Sequence, residues 1–317
     1  MKTQIADWLF LYNTIRQVIE EDLNVRLKIF YFTLEMSKEE KMLSAFSNIL
    51  YVKEGIRIAP KDLRSTKADR ILKQETLDLI ASYEPYFNKI EEIVEFIDDI
   101  RNPTGIFKFM DEYAKKNGTV HEREVEFIDR KTNEKIINKV FDYYEPHDPE
   151  EYVMVFIDHV SLISTEKQDG RQMNLHESIV KLSSDYLIRL RNRYQYIPVI
   201  VQQQASAQES VENMKANRLK PSMDGLGDCK LTQRDANVIL GLFSPFRHEI
   251  KTYYGYDISF FKDNIRFLEI LGGREGGGGT ICPLYFDGAV NFFKELPKPD
   301  NMTQLKLVYD FIKTIRN

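Results

Sequence analysis

The sequence predicts an α/β fold in which a mostly parallel sheet carries helices on both faces and continues into an antiparallel C-terminal extension. Strand-like apolar runs alternate with helix-like segments up to about residue 203, which is typical of parallel pairing. Beyond residue 235, strand-like runs follow one another without long helices between them, which is typical of antiparallel pairing. With 317 residues, of which 43% are hydrophobic, the chain has room for a large core.

A helix, a buried strand and a second helix are expected first. Apolar side chains recur every three or four residues over 3–21, which predicts a helix with one buried face. Residues 27–34 form a continuous apolar and aromatic run, typical of a strand covered on both faces. Ser37 and Glu40 have the spacing of a capping box, so a helix is expected to begin there and to continue to about residue 51.

The next part of the chain predicts more helix, a short strand and a hairpin. The pattern over 62–92 is helical and polar, and the run at 93–98 resembles a strand. Pro103 suits the first position of a helix, which is expected to end at the Asn-Gly pair that follows. Two alternating stretches, 125–128 and 135–144, flank a polar turn and predict a β-hairpin.

The centre of the sheet is expected at 153–158, VMVFID, an apolar strand that ends in an aspartate. A helix over 175–195 and a strand over 197–203 follow it. Residues 205–234 are polar and predict a long loop of the kind that is usually functional or disordered. Four strands and a tail helix from Met302 complete the chain. The strands are 237–243, 265–272, 281–286 and 290–296.

Charge and cysteine content exclude several classes of protein. The chain has 44 Lys and Arg against 49 Asp and Glu, so an overall basic field for nucleic acid is absent and such contacts must come from local loops. Two cysteines cannot build a disulfide scaffold or a Cys-rich zinc site. The sequence contains no signal peptide and no apolar run of about 18 residues, so we expect a cytoplasmic protein without membrane contact.

The first residues match the end of a phosphate-binding loop. Lys2 and Thr3 open a helix, as the last two residues of the motif G-x-x-x-x-G-K-[ST] do. In such loops the backbone N–H groups and the lysine hold phosphate, and the threonine hydroxyl binds Mg²⁺ at the helix N-terminus. Three residues also fit an ordinary polar start, so this interpretation depends on the rest of the chain.

Two carboxylates follow the ends of predicted buried strands. Asp158 ends VMVFID, at the edge where α/β sheets bind ligands, and this is the place of an aspartate that holds Mg²⁺ through water. Glu35 follows the run 27–34, where a carboxylate can orient an attacking water. Apolar strands commonly end in Asp, and Glu35 also fits a capping charge near Ser37, so both interpretations stay open.

Five segments resemble, in order, the signature segments of the DnaB-type replicative DNA helicases, and His159 is as found in the phage-like members. Together with their surroundings they span about 27–51, 93–118 and 153–296. The segments are FTLEMSKEEKMLSAFSNI (32–49), VMVFIDHVSLI (153–163), ESIVKLSSDYLIRLRNRYQYIPVIVQQQ (177–204), LTQRDANVILGL (231–242) and ILGGREGGGGTICPLYFD (270–287).

The resemblance implies a RecA-like P-loop NTPase core that hydrolyses ATP or another nucleoside triphosphate with Mg²⁺. It assigns one role to each matching position. Lys2 would contact the β- and γ-phosphates, Thr3 the Mg²⁺, Glu35 the attacking water, Asp158 the metal, Gln204 the γ-phosphate, and Arg274 the nucleotide of a neighbouring subunit as an arginine finger. A finger that acts in trans requires a head-to-tail ring.

The resemblance also implies partners and an organisation of the chain. It predicts a hexamer that moves on single-stranded DNA, with a primase or a helicase loader as further partners, in the cytoplasm of a bacterium or of a phage-infected host. Residues 1–300 would form the motor domain, with an insertion at about 119–147, and 301–317 a helical tail. Lys215, Arg218 and Lys220 form a small basic cluster for DNA, although a solvated charged loop fits these residues equally well.

The sequence also departs from the family pattern. Met1 stands where the last glycine of the phosphate loop belongs, so the chain is expected to be truncated within the Walker A loop and inactive by itself. The missing strand predicts a gap or a substitute strand beside VMVFID. Gly272 replaces a lysine that commonly precedes the finger. Two alternatives therefore remain, a nucleotide-dead DNA-binding or assembly module and a RecA- or clock-type ring ATPase without unwinding activity.

Overall fold

The computed structural model describes residues 2–21, 23–64, 71–128, 135–205, 210, 212–213, 219–276 and 278–316. The helices are α1 (Lys2–Asp7), α2 (Asn13–Glu20), α3 (Lys38–Glu54), α4 (Pro60–Leu63), α5 (Gln74–Ser82), α6 (Glu84–Ile93), α7 (Pro103–Lys116), α8 (Leu175–Val180), α9 (Ile188–Tyr194), α10 (Thr232–Asp235), α11 (Ile258–Phe261) and α12 (Met302–Arg316). Two π-helical segments, Trp8–Tyr12 and Lys181–Leu187, join α1 to α2 and α8 to α9.

The strands are β1 (Arg26–Thr33), β2 (Val94–Ile97), β3 (Gly118–Ile128), β4 (Lys135–Pro146), β5 (Glu151–Asp158), β6 (Lys167–Gln168), β7 (Arg171–Gln172), β8 (Ile197–Val201), β9 (Val238–Phe243), β10 (Thr252–Tyr253), β11 (Tyr256–Asp257), β12 (Ile265–Gly273), β13 (Ile281–Asp287) and β14 (Phe292–Glu295). Single 3₁₀ turns occur at Val160–Leu162, Met223–Gly225, Pro245–His248 and Lys262–Asn264.

Four parallel strands form the central sheet in the order β2-β1-β5-β8. β1 and β5 pair along their whole length, from Arg26 opposite Glu151 to Thr33 opposite Asp158. β5 lies directly between β1 and β8, so the expectation of a gap or a substitute strand beside VMVFID is wrong. In the described part of the chain, it is the outer edge of β8 that no named strand pairs with.

Helices cover both faces of the central sheet, as the uninterrupted apolar runs predict. Phe30 and Phe32 of β1 point to one face, where they pack among side chains of α7, α8 and α9. Ile29 and Tyr31 point to the other face, where the N-terminal helices, α3 and α6 lie. Because successive side chains of a strand point to opposite faces, the alternation within one strand supplies both cores.

The C-terminal half forms the predicted antiparallel sheet, in the order β14-β13-β12-β9. The glycine-rich segment between β12 and β13 is a hairpin connection, in which Gly276 and Gly279 have φ of 100° and 85°. These values lie in the region that favours glycine. α12 packs its buried residues Leu305 and Ile312 against the core of this sheet. The short hairpins β6–β7 and β10–β11 were not predicted.

β3 and β4 form an antiparallel ribbon between α7 and β5. The alternation at 125–128 and 135–144 predicts this hairpin, but the paired strands are longer than predicted. The base of the ribbon packs on the domain through Tyr144, whose hydroxyl donates to the carbonyl of Ala114. Most side chains beyond it are exposed on both faces, including Phe127 and Ile137.

Glu166 connects the start of α7 to the helix that follows α8. Its carboxylate accepts hydrogen bonds from the Thr104 hydroxyl at 2.6 Å and from the Asn102 amide at 2.7 Å, and pairs with Lys181 at 2.9 Å. Burial acts to raise the pKa, but the hydrogen bonds from Thr104, Lys181 and Asn102 outweigh it and lower the pKa of Glu166 from 4.5 to about 2. The folded state is therefore stabilised by the ionised carboxylate.

Replacing Glu166 by glutamine should lower the free energy of unfolding by about 1–2 kcal/mol at neutral pH, because three donors lose a charged acceptor. A carboxylate whose pKa is lowered on folding contributes stability that is present above 4.5 and lost as the pH falls towards about 2. Urea unfolding at pH 7 and at about pH 3 measures the difference, which should shrink at the lower pH. Glu112→Gln, an exposed position on the same helix α7, is the control. A difference that does not depend on pH would contradict the prediction.

Candidate functional site

The C-terminal ends of β1 and β5 lie side by side and carry the polar residues of the candidate site. Thr33 is opposite Asp158, and the backbone N–H of Leu34 donates to the Asp158 carbonyl at 2.7 Å. The Asp158 side chain is completely buried. A buried carboxylate needs charged or hydrogen-bonding partners, and the surrounding helices supply them.

Thr3 is the first of these partners. Its hydroxyl donates to Oδ1 of Asp158 at 2.9 Å, although the two residues are 155 positions apart in the sequence. The helical run from α1 to α2, which contributes Leu11 and Ile15 to the core under the sheet, positions Thr3 above the end of β5. A hydroxyl and a carboxylate therefore meet at the C-terminal edge of the central strand.

Lys41 of α3 is the second partner. Its ammonium lies 2.9 Å from Oδ2 of Asp158 and 3.1 Å from Oδ2 of Asp7, and it contacts the Tyr31 hydroxyl at 2.5 Å. Burial raises the pKa of Asp7 above its ordinary value, although the Lys41 ammonium acts in the opposite direction. Burial also raises the pKa of Tyr31, and both neighbouring carboxylates add to this effect. Tyr31 therefore stays neutral and serves as a hydrogen-bonding group.

Glu35 lies two residues beyond β1, with 54% of its side chain exposed. Its carboxylate is 3.8 Å from Nε2 of His159, the residue after Asp158, and the same nitrogen is 3.3 Å from the amide of Gln203. Nδ1 of the buried His159 has no hydrogen-bond partner among the described residues. An accessible carboxylate thus stands beside an imidazole at the edge that holds Asp158.

Lys2 and Gln204 belong to the same region of the chain's fold, but their contacts differ. Lys2 precedes Thr3 at the start of α1, with its side chain exposed. Gln204 lies beyond β8, where its backbone bridges to Leu226. Its buried side-chain nitrogen has no hydrogen-bond partner in the part of the chain that the structure describes.

The remaining predicted residues lie elsewhere or outside the described residues. Arg274 is in the segment between β12 and β13, where its guanidinium donates to the carbonyl of Arg234 at 2.9 Å. Lys220 pairs with Glu269 of β12 at 3.4 Å. Lys215 and Arg218 lie outside the described residues, so the basic cluster stays a prediction.

Sequence reasoning did not find Asp7, Tyr31 or Lys41. The apolar residues of α3 that predict the helix include Met42, but the structure buries the face that contains Lys41, Ala45 and Asn48. The spacing of these three residues, four and then three, is a helical stripe, and the lysine within it was the available signal.

The residues of this edge suit a divalent cation and phosphate in part. The Thr3 hydroxyl and Asp158 carboxylate are hard oxygen ligands of the kind that Mg²⁺ prefers. The described residues include no group of three or more His, Cys, Asp or Glu side chains that could hold a metal ion, so water and phosphate would complete the coordination. Lys41 is the feature that a metal site does not require. No described helix combines the length and the apolar content that crossing a bilayer requires.

The chain is similar to a solved structure, the ATPase domain of a phage DnaB-like helicase, with a TM-score of 0.54 and 15% sequence identity over 86% of this chain and 75% of that chain. No protein-family model and no curated protein matches the sequence. The likeness extends over most of both chains, and the described fold has the parallel sheet and the antiparallel extension that the sequence predicts. The chain therefore has the α/β fold of a RecA-like helicase ATPase domain.

Proposed function

We propose that the chain is the motor domain of a replicative DNA helicase, which hydrolyses ATP or another nucleoside triphosphate with Mg²⁺ and moves along single-stranded DNA as a hexameric ring. The observation that carries the proposal is the 2.9 Å contact between the Thr3 hydroxyl and the Asp158 carboxylate. In P-loop NTPases a serine or threonine and an aspartate hold the magnesium ion from these two positions. The RecA-like fold supports the same assignment.

In this proposal each residue acts by position and charge. Mg²⁺, when bound, neutralises the developing charge on the phosphates, and Thr3 and Asp158 hold it. Lys2 pairs with the phosphates, and Gln204 senses the γ-phosphate through its amide. Glu35 accepts a hydrogen bond from the attacking water and so orients it. The exposed carboxylate of Glu35, which a solvent molecule can reach, supports this role.

The ring and the DNA contacts are the finer part of the proposal. Arg274 would reach the nucleotide of the neighbouring subunit, and its place in an exposed hairpin connection at the end of the antiparallel sheet supports an intermolecular role. Lys215, Arg218 and Lys220 would contact DNA phosphates in the channel of the ring. A primase or a helicase loader would be a further partner, and the cytoplasm the location.

Replacing Thr3 by valine tests the central assignment, because the variant keeps the size of the side chain and removes the hydroxyl. In a chain in which a complete G-x-x-x-x-G loop precedes Lys2, we expect hydrolysis of Mg²⁺-ATP that single-stranded DNA stimulates, and a loss of at least about tenfold in the variant. The 317-residue chain by itself should be inactive. Phosphate release measures both quantities. Thr314→Val, a threonine on the exposed face of α12, is the control and should keep full activity.

Full activity in the Thr3 variant would contradict the assignment of the metal site, and a loop-complete chain that binds no nucleotide would contradict the proposed function. That second result would favour the alternative of a nucleotide-dead DNA-binding or assembly module. The contact between Lys41 and Asp158 favours this alternative, because it places a positive charge where a metal would approach. Hydrolysis without duplex unwinding would favour a RecA- or clock-type ring ATPase.

A further inference from the structure

The Lys41 ammonium has no role in the proposed helicase mechanism, yet it contacts the carboxylate that carries the metal assignment. The side chains of Lys41 and Asp158 are both completely buried, and Lys41 Nζ lies 2.9 Å from Asp158 Oδ2. A buried ammonium is costly unless it is paired and hydrogen-bonded. The fold therefore maintains this contact, in contrast to the variable placement of a surface lysine.

The two oxygens of Asp158 have different partners. Oδ1 accepts the hydrogen bond from Thr3, and Oδ2 contacts both the Lys41 ammonium and the Tyr31 hydroxyl, each at 2.9 Å. A cation that approaches Asp158 finds Oδ2 already paired with a positive charge. Because like charges repel strongly at short distance in a buried environment, only Oδ1 is open to a divalent cation.

Asp7 keeps the ammonium in this position. Both of its carboxylate oxygens contact Lys41 Nζ, at 3.3 and 3.1 Å, and its side chain is 3% exposed. The ammonium therefore lies between two carboxylates on different elements, α1 and β5, and cannot leave Asp158 without also leaving Asp7. Tyr31 fixes the remaining direction, since its hydroxyl contacts both carboxylates and the ammonium.

We propose that Lys41 is a built-in cation of the metal and nucleotide site, which limits Asp158 to a contact through one oxygen and keeps the affinity of the site for free divalent cations low. Lys41 is a positioning residue, because it acts on the metal through Asp158. The inference rests on the proposed function for one point only, that Thr3 and Asp158 form the metal site. It explains why a cation lies on a carboxylate that is assigned to bind another cation.

Binding of Mn²⁺ to the 317-residue chain, followed by electron paramagnetic resonance, tests the inference with the metal alone. The double variant Asp7→Asn/Lys41→Met removes one negative and one positive charge, so the net charge of the cluster is conserved, and the new amide can still donate to a neighbouring oxygen. It opens Oδ2 of Asp158, and we expect the dissociation constant for Mn²⁺ to fall at least about fivefold. Asp7→Asn alone leaves Lys41 to Asp158 and should weaken binding.

Two further variants make the result specific. Adding Asp158→Asn to the double variant should remove the gain, which separates this site from acidic surface patches. Lys53→Met removes a lysine at the other end of the same helix, where it pairs with Glu20 at the surface, and should leave the affinity unchanged. If the double variant unfolds at the assay temperature, Asp7→Asn/Lys41→Gln retains an additional hydrogen-bond donor and should show the same gain.

An unchanged dissociation constant in the folded double variant, or no Mn²⁺ binding that depends on Asp158, would overturn the inference. Failure of the proposed function has a different sign, because it appears as a loop-complete chain without nucleotide binding. The two measurements share no reagent except the protein, so each result is assigned to one of the two proposals.

Discussion

Replacing Lys41 by methionine should lower the free energy of unfolding by about 3–5 kcal/mol at pH 7, the usual cost of removing one partner from a buried ion pair. Methionine fills nearly the same volume, so the loss does not come from a cavity. It comes from the carboxylates of Asp7 and Asp158, which remain buried next to each other without a compensating cation. Urea unfolding of the variant and of the wild type measures the difference.

The same variant should show a characteristic dependence on pH. Without the ammonium the pKa of Asp7, which burial already raises, should rise further. A carboxyl whose pKa is raised on folding binds more protons in the native state, so the variant should regain stability as the pH falls and lose it as the pH rises. Asp7→Asn in the same chain should restore most of the loss at pH 7. A loss below about 1 kcal/mol would mean that the carboxylates have other compensation.

Glu35→Gln should lower the rate of nucleotide hydrolysis by at least about a hundredfold and leave nucleotide affinity nearly unchanged, because glutamine cannot accept the proton or orient water as the carboxylate does. The expectation applies to a chain with a complete phosphate loop before Lys2. The Glu35 side chain is largely exposed, so the substitution should not disturb folding. Phosphate release and binding of a fluorescent nucleotide give the two quantities, with Glu39→Gln, another exposed glutamate, as the control.

Mixing this variant with Arg274→Ala extends the test to the ring. Each protein lacks one residue that the other has, so a mixed ring contains interfaces where an intact Glu35 faces an intact Arg274, and some hydrolysis should return. Wild-type turnover in Glu35→Gln would contradict the role of Glu35. Absence of rescue at every mixing ratio would contradict a finger that acts in trans.

The elements that sequence reasoning found are those that local pattern determines. The uninterrupted apolar runs of β1 and β5 indicate strands buried on both faces, and Ser37 with Glu40 marks the start of α3 through a capping box that the structure contains. The contact between Thr3 and Asp158 follows from the position of each residue at an element end, since the C-terminal edge of a parallel sheet brings such ends together.

The cluster around Lys41 could not be predicted in this way. Helical periodicity assigns Met42 to the core more readily than Lys41, because a lysine is buried only where opposite charges converge on it. Here the charges come from α1 and β5, which are distant in sequence, and no local window contains both. The length of β3 was missed for a related reason. Its exposed residues around Glu122–Glu126 alternate little in polarity, because the ribbon has no buried face.

The ribbon formed by β3 and β4 also bears on how the chain closes its central sheet. β1 and β5 must meet across the intervening chain, and the ribbon is part of that connection. Loop-closure entropy grows only with the logarithm of length, so lengthening a connection from about 95 to about 125 residues costs only about 0.2 kcal/mol. The ribbon pairs with itself and leaves the register of β1 on β5 unaltered. An insertion of this kind is nearly free of thermodynamic consequence for the core, so its sequence can diverge much faster than that of the strands on either side.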